Sequence, residues 1–267
     1  MARKNPSSRS TRPRRAGSAG GPHELGQNLL IDRAVIGRMV ELVAPTDGPI
    51  TEIGPGDGAL TAPLARLGRP LTAVEIDDRY ARRLRSRLPG VRVITGDFLD
   101  HRLAPGPQVL VGNLPFHQTT AMLRRVLQAP GWTRAVLLLQ WEVARRRAGI
   151  GGSTLMTAQW LPWFDFRLDR RVPSRAFEPR PGVDGAILII ERRSPPLLPA
   201  GERGAYRELV RRVFTGPGAR LPAILRRAGC FSSTRAAAGW LGRSGIADSA
   251  LPRDLTVEDW VALYRRT

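Results

Sequence analysis

Cysteine and lysine are almost missing from this chain: Cys230 and Lys4 stand alone in 267 residues. A lone thiol closes no disulfide framework, and it argues against a thiolate metal site. No apolar stretch approaches the ~20 residues of a bilayer span. The amino terminus lacks the apolar h-region of a secretory signal. A soluble, cytoplasmic protein without a metal is expected. Acidic residues are also scarce, 23 against 42 Lys plus Arg, which leaves a net charge of +19. A GC-rich genome accounts for arginine in place of lysine, but codon bias does not account for the excess. Charge of this size and sign points to a polyanion, with nucleic acid first. An anionic membrane is the competitor, yet no segment pairs a basic helix face with Trp or Phe opposite.

The length suits one catalytic core with a small second unit. Residues 1–20 are Arg, Ser, Pro and Gly without apolar periodicity. They are expected to form a disordered basic arm that adds phosphate contacts without sequence choice. Helix and strand patterns then alternate. Asp32 caps a predicted helix through Val43, and short apolar runs predict strands at 49–53, 71–75, 91–94, 109–111 and 135–140. Helices are expected at 59–67, 79–88 and 119–127, and a closing strand pair at 164–168 and 186–190. Repeated β-α-β order implies a parallel sheet covered by helices, with ligands beyond the strand carboxyl ends. After the linker Ser194-Pro195-Pro196 only helical spacing remains, at 203–215, 219–229, 234–243 and 256–265. The expected organisation is a 1–20 arm, a 21–193 catalytic domain and a 194–267 helical RNA-binding domain.

Four segments carry chemistry. Glu52-Ile53-Gly54-Pro55-Gly56-Asp57-Gly58 joins the first of these strands to a helix, where glycines permit a tight turn and close approach of a ligand. Glu75, 21 residues after Gly54, ends the next strand and can accept hydrogen bonds from ribose hydroxyls. This pair alone does not separate NAD from S-adenosylmethionine. The Gly-x-Gly-x-Gly spacing departs from the dinucleotide fingerprint and tilts toward S-adenosylmethionine. Asp97 and Phe98 follow the third strand, where they suit an adenine amine and ring, or equally a helix cap and a core Phe. Asn113-Leu114-Pro115-Phe116, beyond the next strand, supplies an amide, a stiffening proline and an aromatic face.

These motifs, with Gly26-Gln27-Asn28-Leu29-Leu30 and Val74-Glu75-Ile76-Asp77, stand in the order of the rRNA adenine N6-methyltransferases, which the chain resembles over roughly residues 23–265. Leu139 to Ala144, Trp160 to Phe164, and Val172-Pro173 through Phe177-Glu178-Pro179-Arg180-Pro181 resemble the Erm branch, which methylates 23S rRNA and confers macrolide, lincosamide and streptogramin B resistance. The resemblance implies an α/β, Rossmann-like class I S-adenosylmethionine-dependent methyltransferase sheet with a small C-terminal all-helical domain. It implies a monomer acting on protein-free or nascent 23S rRNA. The small-subunit 16S rRNA dimethyladenosine transferases share the cofactor motifs but usually carry Tyr at the position of Phe116. A non-catalytic RNA-binding protein of the same fold is a further alternative.

The same resemblance assigns roles. Gln27, Asn28, Leu30, Gly54, Gly56, Glu75, Ile76, Asp97, Phe98 and Asn113 would surround S-adenosylmethionine. Asn113 and the Leu114 carbonyl would hold the target amine, Phe116 would stack on the flipped adenine, and Phe177 would cover its other face. No general-base histidine is needed, so His23, His101 and His117 are expected in solvent or packing. Phosphate contacts are expected among Arg79, Arg82, Arg83, Arg85 and Arg87, the pair Arg124-Arg125, and Arg145-Arg146-Arg147.

Overall fold

A computed structural model describes residues 28–267. Gln27, His23 and the basic arm therefore lie outside the described residues. The chain begins with β1 (Leu29–Leu30) and α1 (Arg33–Val43), then winds β2 (Ile50–Ile53), α2 (Thr61–Ala65), β3 (Leu71–Glu75), α3 (Asp78–Arg87) and β4 (Arg92–Thr95). It continues through β5 (Gln108–Asn113), α4 (Thr119–Gln128), β6 (Trp132–Gln140), α5 (Trp141–Arg147), α6 (Leu155–Ala158), β7 (Phe164–Val172), β8 (Phe177–Glu178) and β9 (Gly185–Arg192). Four helices close the chain: α7 (Arg203–Thr215), α8 (Leu221–Arg227), α9 (Thr234–Arg243) and α10 (Val257–Arg266).

Seven strands form one sheet in the order β4-β3-β2-β5-β6-β9-β7. The first five are parallel, while β9 runs antiparallel to both β6 and β7. Order reverses between β2 and β5, and the crevice above that switch is where such sheets take ligands. Strand alternation explains the two-sided core. Val136 and Leu138 of β6 face the cluster under α1 and α2, whereas Ala135, Leu137 and Leu139 face a second cluster under α4. That second cluster continues without a break into Leu209, Leu225 and Trp260, so the C-terminal helices share the core of the sheet. Tyr206 Oη donates to the Ala158 carbonyl at 2.9 Å across this junction.

Several elements depart from the sequence expectations. The helix expected at 59–67 shrinks to Thr61–Ala65, with Pro63 inside it and Gly58 and Gly68 at positive φ on either side. Strand β5 extends through Asn113, which is thus the last strand residue and does not follow it. Helix α5 and the pairing of β1 with β8 had no periodic signal, because each is too short to show one.

Gly112 has a specific steric reason. It pairs with Ile53, and a Cβ there would stand 2.5 Å from the Ile53 carbonyl oxygen. Gly112→Ala must therefore push β2 and β5 apart beneath the crevice. The expected cost is about 1–3 kcal/mol, measured by urea unfolding; a change below about 0.5 kcal/mol would contradict the close approach.

Candidate active site

At the switch point the sheet opens into a cleft of about 710 Å³ including its mouth. A volume of that order suits a small-molecule ligand. Asn28, Gly54, Gly56, Glu75, Ile76, Asp97, Phe98, Asn113 and Leu114 all line it, so most of the residues singled out from sequence converge. Leu30 does not line it: its side chain is buried in the core while its backbone pairs with Phe177. Phe116 and Phe177 lie outside the lining and touch each other, centroids 5.7 Å apart at 73°. Phe177 is buried, so the two rings leave no slot between them. His117, Gln118 and Met122 complete the wall. Only their position after Pro115, at the start of α4, signals this.

The glycine turn is built for backbone approach. Gly54 and Gly56 have φ of +63° and +55°, where a side chain is strained. The Gly56 N–H donates to Glu75 Oε2 at 2.9 Å and the Asp77 N–H to Oε1 at 2.8 Å. Glu75 is buried, and burial raises its pKa although these N–H groups oppose the rise. Each oxygen keeps a free lone pair for a ligand. Asp97 similarly accepts from the Leu99 N–H at 2.8 Å through Oδ1.

Asn113 is the most tightly specified residue. Its Nδ2 donates to the Asn28 carbonyl at 2.7 Å. An amide turned the other way would face oxygen with oxygen, which fixes its orientation. Its Oδ1 is buried without a donor among the described residues. A buried acceptor left unpaired is costly, so this oxygen awaits a partner. The β1–β8 pair and the Ile31 N–H to Ala176 carbonyl bond of 2.9 Å hold the Asn28 segment in place.

Most expected phosphate contacts are tethered. Arg79 pairs with Asp77 at 2.6 Å, Arg82 with Asp78, and Arg145 with Glu142 at 2.8 Å. Arg85 donates to the Val93 carbonyl and Thr95, Arg87 to the Asp57 carbonyl, Arg125 to the Leu99 and His101 carbonyls, and Arg147 to Thr154. Arg85, Arg87, Arg125 and Arg147 thus meet only neutral groups, and burial lowers the pKa of Arg147. Burial, and after it the charges of Arg125 and Arg92, hold His101 below the usual histidine range.

Beneath the cleft, Glu52 is buried with Oε2 unpartnered. Burial chiefly, with the carboxyls of Glu75 and Asp57, pushes its pKa up to about 8. The native state therefore keeps a proton that the unfolded chain releases near 4.5. Stability must fall as pH rises across that window. Relative to Glu52→Gln, the wild type is expected to lose about 1.4 kcal/mol per pH unit between pH 5 and 8 in urea titrations; parallel pH profiles would contradict a neutral Glu52.

The ribosomal RNA adenine dimethylase family matches residues 21–267. An rRNA adenine N-6-methyltransferase from Corynebacterium diphtheriae is 54% identical over 79% of this chain and 84% of its own. The mycinamicin-resistance protein MyrB from Micromonospora griseorubida is 49% identical over 93% and 79%. Among solved structures, the 23S rRNA methyltransferase ErmE superposes with a TM-score of 0.81 at 35% identity, covering 90% of this chain and 99% of ErmE.

Proposed function

The chain belongs to the ribosomal RNA adenine dimethylase family, and on that premise we propose that it methylates N6 of a specific adenine in 23S rRNA, using S-adenosylmethionine, and so confers macrolide, lincosamide and streptogramin B resistance. The observation carrying the chemistry is the buried, unpaired Asn113 Oδ1 with its amide locked by Asn28. The relatives named for rRNA methylation and for mycinamicin resistance support the choice of substrate and outcome.

The lining fits the cofactor. Among the described residues it includes Glu75 and Asp97 but no arginine, in a chain whose charge is +19. A pyrophosphate would find no counter-charge there, whereas a sulfonium cation is welcome beside carboxylates. Glu75 would take the ribose hydroxyls, Asp97 the adenine amine, and Ile76, 48% exposed at the mouth, one face of the ring. Asn28 and Gly54 would border the methionine part, with Gln27 adjoining in sequence. When bound, S-adenosylmethionine supplies an electrophilic methyl group on a positive sulfur.

The protein's task is then to present the amine. An exocyclic adenine nitrogen shares its lone pair with the ring and is a weak nucleophile. Asn113 Oδ1 would accept one N6–H and the Leu114 carbonyl the other, drawing the nitrogen toward tetrahedral geometry and fixing its direction. Among the described residues no backbone hydrogen bond ends on that carbonyl. Phe116 would supply the stacking face for the flipped base. Phe177, set edge-on behind it, would hold that ring in position. The amine proton leaves to water after transfer.

Tritiated S-adenosylmethionine with protein-free 23S or 16S rRNA tests this reading. Label is expected in 23S rRNA alone, and Asn113→Ala should lower the rate about 10²–10³-fold with S-adenosylhomocysteine binding changed only a few-fold. Label in 16S rRNA instead would reassign the substrate. RNA binding without label in either rRNA would overturn the enzyme.

A further inference from the structure

A row of aromatic rings crosses the opposite end of the sheet from the cleft. Trp132 and Phe164 stack with centroids 5.0 Å apart at 10°, Trp160 lies 5.6 Å from Phe164, and Trp163 6.5 Å from Trp160. The Trp132 and Trp163 indoles donate to the Val126 and Leu198 carbonyls, both at 2.8 Å, which fixes those rings.

Three guanidiniums lie on this row. Arg192 sits 4.8 Å over Phe164, Arg203 5.1 Å over Trp160 and 5.2 Å over Trp163, and Arg207 5.0 Å over Trp160. Arg192 is tethered to the Trp132 and Ala129 carbonyls. Arg203 and Arg207 are not: among the described residues neither side chain makes an ion pair, and the buried Nε of each has no acceptor. The neighbouring carboxylates are engaged elsewhere, Glu191 with Arg134, Asp165 with Arg193 and Glu208 with Arg211. Burial first, and then the charge of Arg207, lowers the Arg203 pKa, as burial and Arg203 lower that of Arg192.

Packing alone does not call for this arrangement. A ring face attracts the guanidinium plane but satisfies none of its edge donors. Two like charges at i and i+4 on α7 repel, and leucine or methionine would cover the same indole without that cost. What the cluster lacks is an anion with several oxygens, and a phosphodiester matches a guanidinium fork in charge and geometry.

We propose that Arg203 and Arg207, backed by Arg192, clamp the phosphate backbone of RNA at a site separate from the methyl-transfer cleft. Arg192 adjoins Trp132 at the start of β6, and Asn113 pairs with Leu138 of the same strand. The rise between those two β6 residues is about 20 Å. Only an RNA extending that far from the target adenine reaches both sites. The clamp therefore adds affinity for long substrates and nothing for the shortest one. The identity of that RNA rests on the proposed 23S rRNA methyltransferase activity; the binding prediction does not.

The test compares wild type with Arg203→Gln/Arg207→Gln and Arg203→Lys/Arg207→Lys, by filter binding of 23S rRNA across a salt series and by methyl-transfer kinetics. For the Gln pair, the slope of log K against log[salt] should shrink by about 1.5, that is about 0.7–0.9 per phosphate contact. The Lys pair should restore it. KM for full-length 23S rRNA should rise several-fold at unchanged kcat, with no change on the shortest transcript the wild type methylates. Unaltered slope and KM in a folded Gln pair would overturn the clamp. Ultraviolet cross-linking of wild type to RNA covers a Gln pair that fails to fold: a cross-linked peptide spanning Trp160 or 203–207 is expected, and its absence would also overturn the clamp. If wild type methylates no rRNA, the enzymatic reading fails while the binding slope still decides the clamp.

Discussion

The hydrogen bond from Asn113 Nδ2 to the Asn28 carbonyl, 2.7 Å long, sets the polarity of the whole site. An asparagine amide presents either a donor or an acceptor to its surroundings, and here the donor end is already taken. The acceptor end is left buried and unpaired, on a residue that lines the cleft. Much of the fold serves that one orientation. The β1–β8 pair anchors the segment carrying Asn28. Gly112, with no side chain to strike the Ile53 carbonyl, lets β5 deliver Asn113 beside the glycine turn.

The electrostatics divide along the same axis. Around the cleft, carboxyl groups gather: Glu75 and Asp97 in the wall and Glu52 below it, with burial raising both glutamates. Among the described residues no arginine lines the wall, although arginine is abundant in the chain. A cationic sulfonium and a neutral base both tolerate such a site, while a polyanion is repelled from it. In the proposed clamp, Arg203 and Arg207 would meet a backbone of phosphates outside the cleft, on the rings of Trp160 and Trp163. Under the proposed function, one basic protein would thus hold a cationic donor and an anionic substrate in separate environments.

How much of this was legible in the sequence follows from the length scale of each signal. The parallel strands, α1 with its Asp32 cap, and the C-terminal helices carry periodicity over many residues, and they appear where expected. The residues that line the cleft were legible because strand ends are themselves legible. Contacts between distant short segments were not. Nothing in Leu29–Leu30 or Phe177–Glu178 announces their pairing, and so the tie between Asn28 and Asn113 was hidden. The edge-on contact of Phe177 with Phe116, and the arginines stacked on Trp160, likewise depend on segments brought together only by the sheet.

The most direct measurement is a crystal structure of the chain with S-adenosylhomocysteine and a short RNA bearing the target adenine. N6 is expected within hydrogen-bonding distance of Asn113 Oδ1 and the Leu114 carbonyl, with the Asn113–Asn28 bond intact and Phe116 against the base. An adenine bound elsewhere, or an Asn113 amide turned to offer its nitrogen to the cleft, would contradict the role assigned to that oxygen.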